Sequence, residues 1–245
     1  MLDNIKIENI LFLDIETVPQ YSDFNSVPEK FKEFWDKKSG YFRNEEQLPS
    51  DVYQRAGIYS EFGKIICISV GIAVSKTEQR TFRLKSFFGD DESILLKEFA
   101  EMLNKYHSSN SELQLCAHNG KEFDFPFIAR RMLINGIKLP KLLDIAGKKP
   151  WEVMFLDTME LWKFGDYKNY TSLNLLTQIF NIPTPKDDID GSMVADVYWK
   201  DKDLLRIVIY CEKDVLAIAQ LFLKYKGEEL IPQENVESAT VNKLL

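Results

Sequence analysis

The chain has 245 residues, of which 45% are hydrophobic and 28% charged, a composition typical of one large globular domain. Its 31 basic and 38 acidic residues give a formal net charge of −7, so binding along many phosphates of a duplex is not favoured. The sequence contains no run of about 18 apolar residues, so we expect no membrane span. Its first ten residues lack the apolar segment of a signal peptide, so no export is expected.

The cysteines and histidines are too few and too scattered to suggest a disulfide framework or a zinc cluster. Cys67, Cys116 and Cys211 are widely spaced and lie in apolar stretches. This pattern is typical of reduced, buried thiols in a cytoplasmic protein. With only two histidines and no Cys/His cluster, a zinc site is not expected.

The hydrophobic periodicity predicts strands that alternate with helices. Strands are predicted within residues 9–16, 64–74, 79–87, 112–120 and 151–161, and helices within 27–40, 49–63, 90–106, 125–137, 171–182 and 203–225. An early antiparallel hairpin followed by strand–helix units predicts an α/β fold, with a mixed five-stranded sheet and helices on both faces. We expect one domain over residues 1–226, with an insertion at 19–64, and a polar C-terminal tail at 227–245.

The first predicted strand ends in two carboxylates, within the stretch LFLDIET at residues 11–17. Side chains alternate between the faces of a strand, so Asp14 and Glu16 would point the same way. Like charges at that range raise each other's pKa unless a positive charge lies between them, and a divalent cation would supply it. A strand end that runs into a solvated turn would explain the same two residues.

Two later stretches carry acids that could join this pair. In HNGKEFDFPF, Asn119 lies at the exit of the fourth predicted strand and Asp124 at the start of a helix. Sites in open α/β sheets collect beyond the carboxyl ends of strands, although Asp124 could also be a helix N-cap. In YCEKD, Tyr210 and Asp214 share one helix face, which is directed either at solvent or at a metal site.

These stretches occur in the order D-x-E, N-x-x-x-F-D and Y-x-x-x-D, and the arrangement resembles the DnaQ-like (DEDD) superfamily of 3′–5′ exonucleases in its tyrosine branch. AHNGKEFDFPFIARR looks most like the exonuclease domain of family B DNA polymerases. EFGKIICIS, TSLNLL and DGSMVADVYW look like its stand-alone bacterial relatives. The resemblance covers roughly residues 9–224 and implies a ribonuclease H-like sheet. The histidine branch carries its base where this chain has Ile209, so that branch is disfavoured.

The resemblance implies a role for each matching residue. The family's metal-binding acids correspond to Asp14, Glu16, Asp124 and Asp214. The tyrosine that holds the attacking water corresponds to Tyr210. The residues that contact the substrate correspond to Thr17, Asn119 and Phe123. Two divalent ions about 3.5–4 Å apart would lower the pKa of a water and stabilise the leaving 3′ oxygen. Carboxylate oxygens suit hard cations, so two Mg²⁺ or Mn²⁺ ions are the expected cofactors.

Other polar and aromatic residues have structural interpretations that we prefer. Asp157, at the end of the fifth predicted strand, is interpreted as the cap of a capping box with Glu160 rather than as a metal ligand. His118 is interpreted as a hydrogen-bonded core residue, and the acidic run at 187–191 as a turn and helix start. Three aromatic residues of the insertion could stack on bases, but a small core of its own is slightly favoured: Trp35, Tyr41 and Phe42.

Three functions fit the sequence. The first is a metal-dependent 3′–5′ exonuclease that prefers single-stranded 3′ ends of DNA, working alone or with a protein partner in repair or replication. The second is the same enzyme acting on RNA, because no reader of the 2′-OH is identifiable. The third is a non-catalytic nucleic-acid-binding or partner-binding module, which is disfavoured because all four acids are present. A ribonuclease H-like endonuclease is also conceivable, but the helical Tyr–Asp pair favours trimming of ends.

Overall fold

Six strands form one mixed sheet. The computed structural model describes residues 2–76, 79–166, 170–183 and 189–240. The strands are β1 (Ile10–Pro19), β2 (Gly63–Lys76), β3 (Gln79–Phe88), β4 (Gln114–Ala117), β5 (Leu156–Asp157) and β6 (Val236–Ser238). Their order is β5–β4–β1–β2–β3–β6, with β2 antiparallel to both neighbours and all other pairs parallel. The predicted mixed α/β sheet is confirmed.

The sheet has one strand more than the five expected, because part of the predicted C-terminal tail joins its edge. β6 pairs in parallel with β3, next to Phe82, Arg83 and Leu84. Beyond it, the Thr240 hydroxyl accepts a hydrogen bond of 2.7 Å from the backbone N–H of Ser86, and Thr240 is buried. Residues 227–240 therefore pack on the domain as far as the structure describes them, while the domain bounds themselves stay a prediction.

Seven α-helices are found in the described part of the chain. They are α1 (Glu29–Ser39), α2 (Glu92–Ser109), α3 (Asp124–Ile134), α4 (Thr158–Lys163), α5 (Leu173–Ile179), α6 (Val194–Asp196) and α7 (Leu204–Lys226). The helix predicted within 49–63 is instead a 3₁₀ helix at Tyr53–Ile58. A π-helical turn at Val197–Asp201 follows α6, and this turn was not predicted. None of these helices is long and apolar enough to cross a bilayer.

The acidic run at 187–191 begins outside the described residues, which resume at position 189. Within the described part, the Asp190 carboxylate accepts a hydrogen bond of 2.8 Å from the backbone N–H of Ser192. Helix α6 begins two residues later, at Val194. Asp190 thus has the local turn role that the sequence suggested for this run.

Alternate residues of β1 face two different cores. Leu13 and Ile15 pack with residues of α2 and α3, whereas Phe12 packs against α7 on the opposite face of the sheet. Helices therefore cover both faces, as predicted. Asp14 and Glu16 lie two and four residues after Phe12, so their side chains lie on the same face of β1 as Phe12. Both carboxylates therefore face α7.

The insertion has its own aromatic core. Trp35 is fully buried, and its indole N–H donates a hydrogen bond of 2.8 Å to the backbone carbonyl of Pro49. The rings of Phe42 and Tyr53 lie 5.9 and 5.8 Å from the Trp35 ring. The interpretation of Trp35 and Phe42 as core residues is confirmed, but it is wrong for Tyr41, which is 90% exposed.

A buried ion pair fixes α3 against α2 and the sheet. The Arg131 guanidinium makes two hydrogen bonds to the Glu92 carboxylate, at 2.9 and 2.5 Å, and a third of 2.9 Å to the Ser60 carbonyl. The backbone N–H of Ile65 on β2 also donates to Glu92, at 2.7 Å. Breaking such a pair typically costs about 3–5 kcal/mol. Asp124 is the first residue of α3, the helix that this ion pair anchors.

Candidate active site

The end of β1 is irregular where its two acids lie. The β1–β2 register shifts between Glu16 and Thr17, so a bulge separates the last acid from the residue predicted to contact the substrate. Bulges increase the local twist and re-aim side chains, and they are frequent next to active sites. Glu16 lies opposite Cys67 of β2 and is 8% exposed, while Asp14 is partly buried.

Asp124 reaches from α3 to β1 instead of capping its own helix. The N-cap position belongs to Phe123, which makes no side-chain cap, so the interpretation of Asp124 as an N-cap is wrong. The Asp124 carboxylate accepts a hydrogen bond of 3.2 Å from the backbone N–H of Ile15, between the two acids of β1. Burial, helped by the charge of Asp157, raises the pKa of Asp124 to about 7, although backbone N–H donors oppose the shift.

Helix α7 brings the tyrosine and the fourth acid to the same place. The Tyr210 hydroxyl donates a hydrogen bond to the Asp214 carboxylate. Burial raises the pKa of Tyr210 far above its usual value, and the charges of Asp214, Glu16 and Asp14 add to the shift. This face of α7 is therefore directed at the acids of β1, not at solvent.

The acids at this centre repel one another. Burial raises the pKa of Asp14 well above its usual range, and the charges of Asp124, Glu16 and Asp214 raise it further. Burial likewise raises the pKa of Glu16, with smaller contributions from Asp214, the Cys67 thiol and Asp124. Within the described ranges, no cationic side chain pairs with Asp14, Glu16 or Asp124. A bound cation would supply the charge that the protein lacks here.

The donor atoms fit a metal ion. One ligand atom each from Asp14, Glu16 and Cys211 lies within 4.8 Å of the other two. The Glu16 carboxylate is more than nine-tenths buried and accepts no hydrogen bond from the residues that the structure describes. A buried carboxylate without donors is costly unless a cation binds it. Oxygen ligands of this kind suit Mg²⁺ and Mn²⁺.

The sequence did not identify Cys211 as a residue of this centre. Its Sγ lies 3.4 Å from the backbone carbonyl oxygen of Asp14 and 3.5 Å from Asp14 Oδ2. The apolar context of Cys211 led to its assignment as a core thiol. A signal was nevertheless present, because Cys211 and Asp214 are three residues apart and such residues share a helix face.

The second motif also contains Asn119 and Phe123, two of the residues predicted to contact the substrate. Asn119, two residues beyond β4, has a left-handed backbone (φ 61°), a conformation that asparagine tolerates. Its backbone N–H donates to Asp157 at 2.9 Å, and its side-chain oxygen is buried without a partner among the described residues. Phe123 is partly buried, and its ring lies 5.5 Å from that of Phe127. Thr17, just past the bulge, is also partly buried.

Asp157 is a structural acid, as predicted. Its carboxylate accepts hydrogen bonds from the backbone N–H groups of Asn119, Lys121, Met159 and Glu160, at 2.9, 3.1, 2.9 and 3.3 Å. It therefore caps α4 and also ties the loop after β4 to that helix. The Glu160 carboxylate pairs with the Lys121 side chain at 2.6 Å instead of completing the predicted capping box.

His118 has the core role that was predicted for it. Its ring nitrogens lie 2.9 Å from the Thr158 hydroxyl and 2.9 Å from the backbone oxygen of Thr171. Burial lowers the pKa of His118 below its usual value, so the ring is neutral near pH 7. Both nitrogens are occupied by structural contacts, which leaves neither for a ligand.

Comparison with known proteins agrees with this geometry. Residues 58–243 match the model of a family described as a predicted 3′–5′ exonuclease related to the exonuclease domain of PolB. No curated protein matches the chain. The chain is also similar to the solved structure of the family B DNA polymerase from the hyperthermophilic archaeon Pyrobaculum calidifontis, at 15% sequence identity and a TM-score of 0.50.

The two similarities differ in what they cover. The structural match includes 87% of this chain but 24% of the polymerase, so this chain spans about a quarter of the polymerase's length and shares its fold alone. The family match includes Asp124, Tyr210 and Asp214 but begins after Asp14 and Glu16. Because it extends over most of the chain, the protein belongs to the family of predicted 3′–5′ exonucleases related to the PolB exonuclease domain.

Proposed function

We propose that this protein is a 3′–5′ exonuclease that removes nucleotides from single-stranded 3′ ends of DNA with two Mg²⁺ or Mn²⁺ ions. One observation carries the proposal: acids from β1, α3 and α7 converge, and those of β1 and α3 have no cationic partner among the described residues. The family description supports the reaction class.

The proposed chemistry assigns the protein a positioning role. Asp14, Glu16, Asp124 and Asp214 would hold the ions, which when bound supply the positive charge that activates water and stabilises the leaving oxygen. The Ile15 N–H already orients Asp124. Tyr210, whose pKa is raised, keeps its proton at neutral pH and orients the attacking water as a hydrogen-bonding group, not as a base.

A cationic aromatic cluster beyond the end of β1 is the surface that we propose for the single strand. The Trp199 indole N–H donates to the carbonyl of Pro19 at 3.2 Å, three residues past Glu16. The amino groups of Lys64 and Lys202 each lie 5.0 Å from the Trp199 ring. Such a combination can contact bases by stacking and phosphates by charge. These two lysines provide local positive charge on a chain whose net charge of −7 disfavours duplex binding.

The test compares three substrates of equal length, namely single-stranded DNA, blunt duplex DNA and RNA, each labelled at the 5′ end. We expect stepwise shortening from the 3′ end with Mg²⁺ or Mn²⁺, fastest on single-stranded DNA, and none in excess EDTA. Shortening at an unchanged rate in EDTA would refute the metal-dependent mechanism. Faster cleavage of RNA would reassign the substrate, and binding without any cleavage would identify a non-catalytic module.

A further inference from the structure

One sulfur atom lies among the oxygens of the acidic centre. The Cys211 thiol is fully buried and lies 3.5 Å from the Asp14 carboxylate, and the Glu16 carboxylate completes a set of donors within 4.8 Å of one another. A purely hard-metal site does not need a thiol. A thiol ligand would favour softer ions than carboxylates alone.

The spacing of two of these donors, Cys211 Sγ and Asp14 Oδ2, matches that of two ligands on a small tetrahedral ion. With Zn–S near 2.3 Å and Zn–O of about 2.0–2.2 Å, the sulfur and oxygen ligands of a tetrahedral zinc lie about 3.6 Å apart. The separation between Cys211 Sγ and Asp14 Oδ2 is 3.5 Å. An ion could therefore bridge these two atoms at their present separation.

The third donor is ready to bind a cation. Glu16 is 8% exposed, and its carboxylate accepts no hydrogen bond from any residue in the described ranges. This is a separate observation from the position of the thiol, because Glu16 lies on β1 and Cys211 on α7. The unpartnered carboxylate points to a ligand that the protein itself does not provide.

We propose that Asp14, Glu16 and Cys211 form a binding site for one thiophilic divalent cation, of the class of Zn²⁺, Co²⁺ and Cd²⁺. Soft thiolate ligands select such ions, and sites of mixed ligands bind zinc more tightly than manganese. Binding would release the thiol proton to solvent. One consequence of this site rests on the proposed function. If the protein is an exonuclease, an ion bound here would inhibit it by displacing the hard ions from Asp14 and Glu16.

The other two cysteines provide controls. Cys67 lies opposite Glu16 and is hydrogen-bonded to Cys211, but it is outside the three-donor set. Cys116 lies on β4 in the core cluster around Phe12, away from the acids. Replacing Cys116 removes a thiol without touching the centre, and replacing Cys67 tests whether the neighbouring sulfur is the true donor.

The experiment is a Co²⁺ titration of the full chain in EDTA-free buffer, followed by the thiolate-to-cobalt charge-transfer absorbance. We expect a saturable band in the wild type, in Cys116→Ala and in Cys67→Ala, and none in Cys211→Ala. Zn²⁺ should abolish the band by competition. No band in the wild type, or a band that persists in Cys211→Ala and disappears in Cys67→Ala, would overturn the proposed ligand set.

A second variant and a second readout separate this proposal from the exonuclease activity. Cys211→Ser keeps a small polar side chain, and its melting curve shows whether loss of the band reflects loss of the fold. In a Mg²⁺-dependent cleavage assay, the Zn²⁺ concentration for half-inhibition should rise on the order of tenfold or more in Cys211→Ser. A cobalt band in a chain that cleaves nothing would keep the site and reject the exonuclease. Cleavage by a chain that shows no cobalt band would keep the exonuclease and reject the site.

Discussion

The carboxylate of Asp124 accepts a hydrogen bond of 3.2 Å from the backbone N–H of Ile15, which lies between Asp14 and Glu16 on β1. This contact joins α3 to β1 at the point where three acids meet. It orients Asp124 through a backbone hydrogen bond that does not require a bound ion. The Arg131–Glu92 pair holds the rest of α3 in place.

The first prediction concerns Asp214→Asn. The amide keeps the shape of the side chain but removes its negative charge. The charge of Asp214 raises the pKa of Asp14 and of Glu16, so its removal relieves repulsion. We expect the melting temperature in EDTA to stay the same or rise, while cleavage with Mn²⁺ is nearly abolished. Melting curves and a single-turnover assay measure both effects. A loss of several degrees in EDTA would identify Asp214 as a structural residue.

The second prediction concerns Asp157→Ala, which is a contrast because this buried acid, the last residue of β5, has a structural role. Its carboxylate satisfies four backbone N–H groups and is 2% exposed, so the variant leaves buried donors without an acceptor. We expect the free energy of unfolding to fall by about 2–4 kcal/mol, with or without metal. Urea unfolding in EDTA and in Mn²⁺ measures it.

Asp157→Asn is the control for this second prediction. The amide retains one acceptor oxygen, so its cost in unfolding free energy should be smaller than that of the alanine variant. If Asp157→Ala were as stable as the wild type in EDTA but bound Mn²⁺ more weakly, Asp157 would have to be reassigned as a metal ligand.

Local periodicity was sufficient to predict two pairs of site residues, whereas their meeting in one site was an expectation from the family resemblance. The period of two in β1 placed Asp14 and Glu16 on one face, and the spacing of four in α7 placed Tyr210 beside Asp214. These rules depend on backbone geometry alone, so they hold wherever the strand and the helix form. The contact between Asp124 and Ile15 was not predictable in the same way, because it joins residues 109 positions apart.

The features that the sequence did not reveal depend on tertiary pairing. β6 has three residues, two of them polar, and forms only because the edge of β3 offers backbone partners more than 150 positions away. The π-helical turn at Val197–Asp201 has no periodic signature of its own. Cys211 was assigned to the core because its neighbours in sequence are apolar. A buried thiol can also contact an acid, so this pattern did not distinguish the two positions.

The third prediction is a pH dependence of stability in the metal-free protein. The folded chain holds the Asp124 proton with a pKa of about 7, whereas an unfolded aspartate titrates near 3.9. The contribution of this group to stability is therefore fully present below about pH 4 and is lost as the pH rises towards and through 7. Asp14 and Glu16, whose pKa values are also raised, act with the same sign.

Melting curves measure this effect when they are recorded in EDTA from about pH 5 to about pH 8, at intervals of about one pH unit. We expect the melting temperature to fall with rising pH, and the fall to shrink in Asp124→Asn, which cannot ionise there. Saturating Mn²⁺ should also reduce it, because the cation compensates the charges that appear. A melting temperature that rises over this range equally in wild type and variant would contradict the repulsive centre.

The fourth prediction concerns Tyr210→Phe, which removes one hydroxyl and keeps the ring. The ring packs at the edge of the core around Tyr198 and Ile207, so the fold should survive. The hydroxyl is hydrogen-bonded to Asp214, and its raised pKa keeps it protonated, so its loss removes an orienting group and not a base. We expect single-turnover cleavage in saturating Mn²⁺ to slow by roughly ten- to a thousandfold, or about 1.4–4 kcal/mol in the barrier.

Tyr225→Phe is the matched control for this last variant, since it lies on the same helix and its hydroxyl donates to the backbone oxygen of Thr158, at 3.2 Å. It should cleave at the wild-type rate. Tyr210→Phe should also lose less activity than Asp14→Ala, because the acids that would hold the ions remain. Cleavage by Tyr210→Phe at the wild-type rate would mean that this tyrosine packs the helix and takes no part in orienting the water.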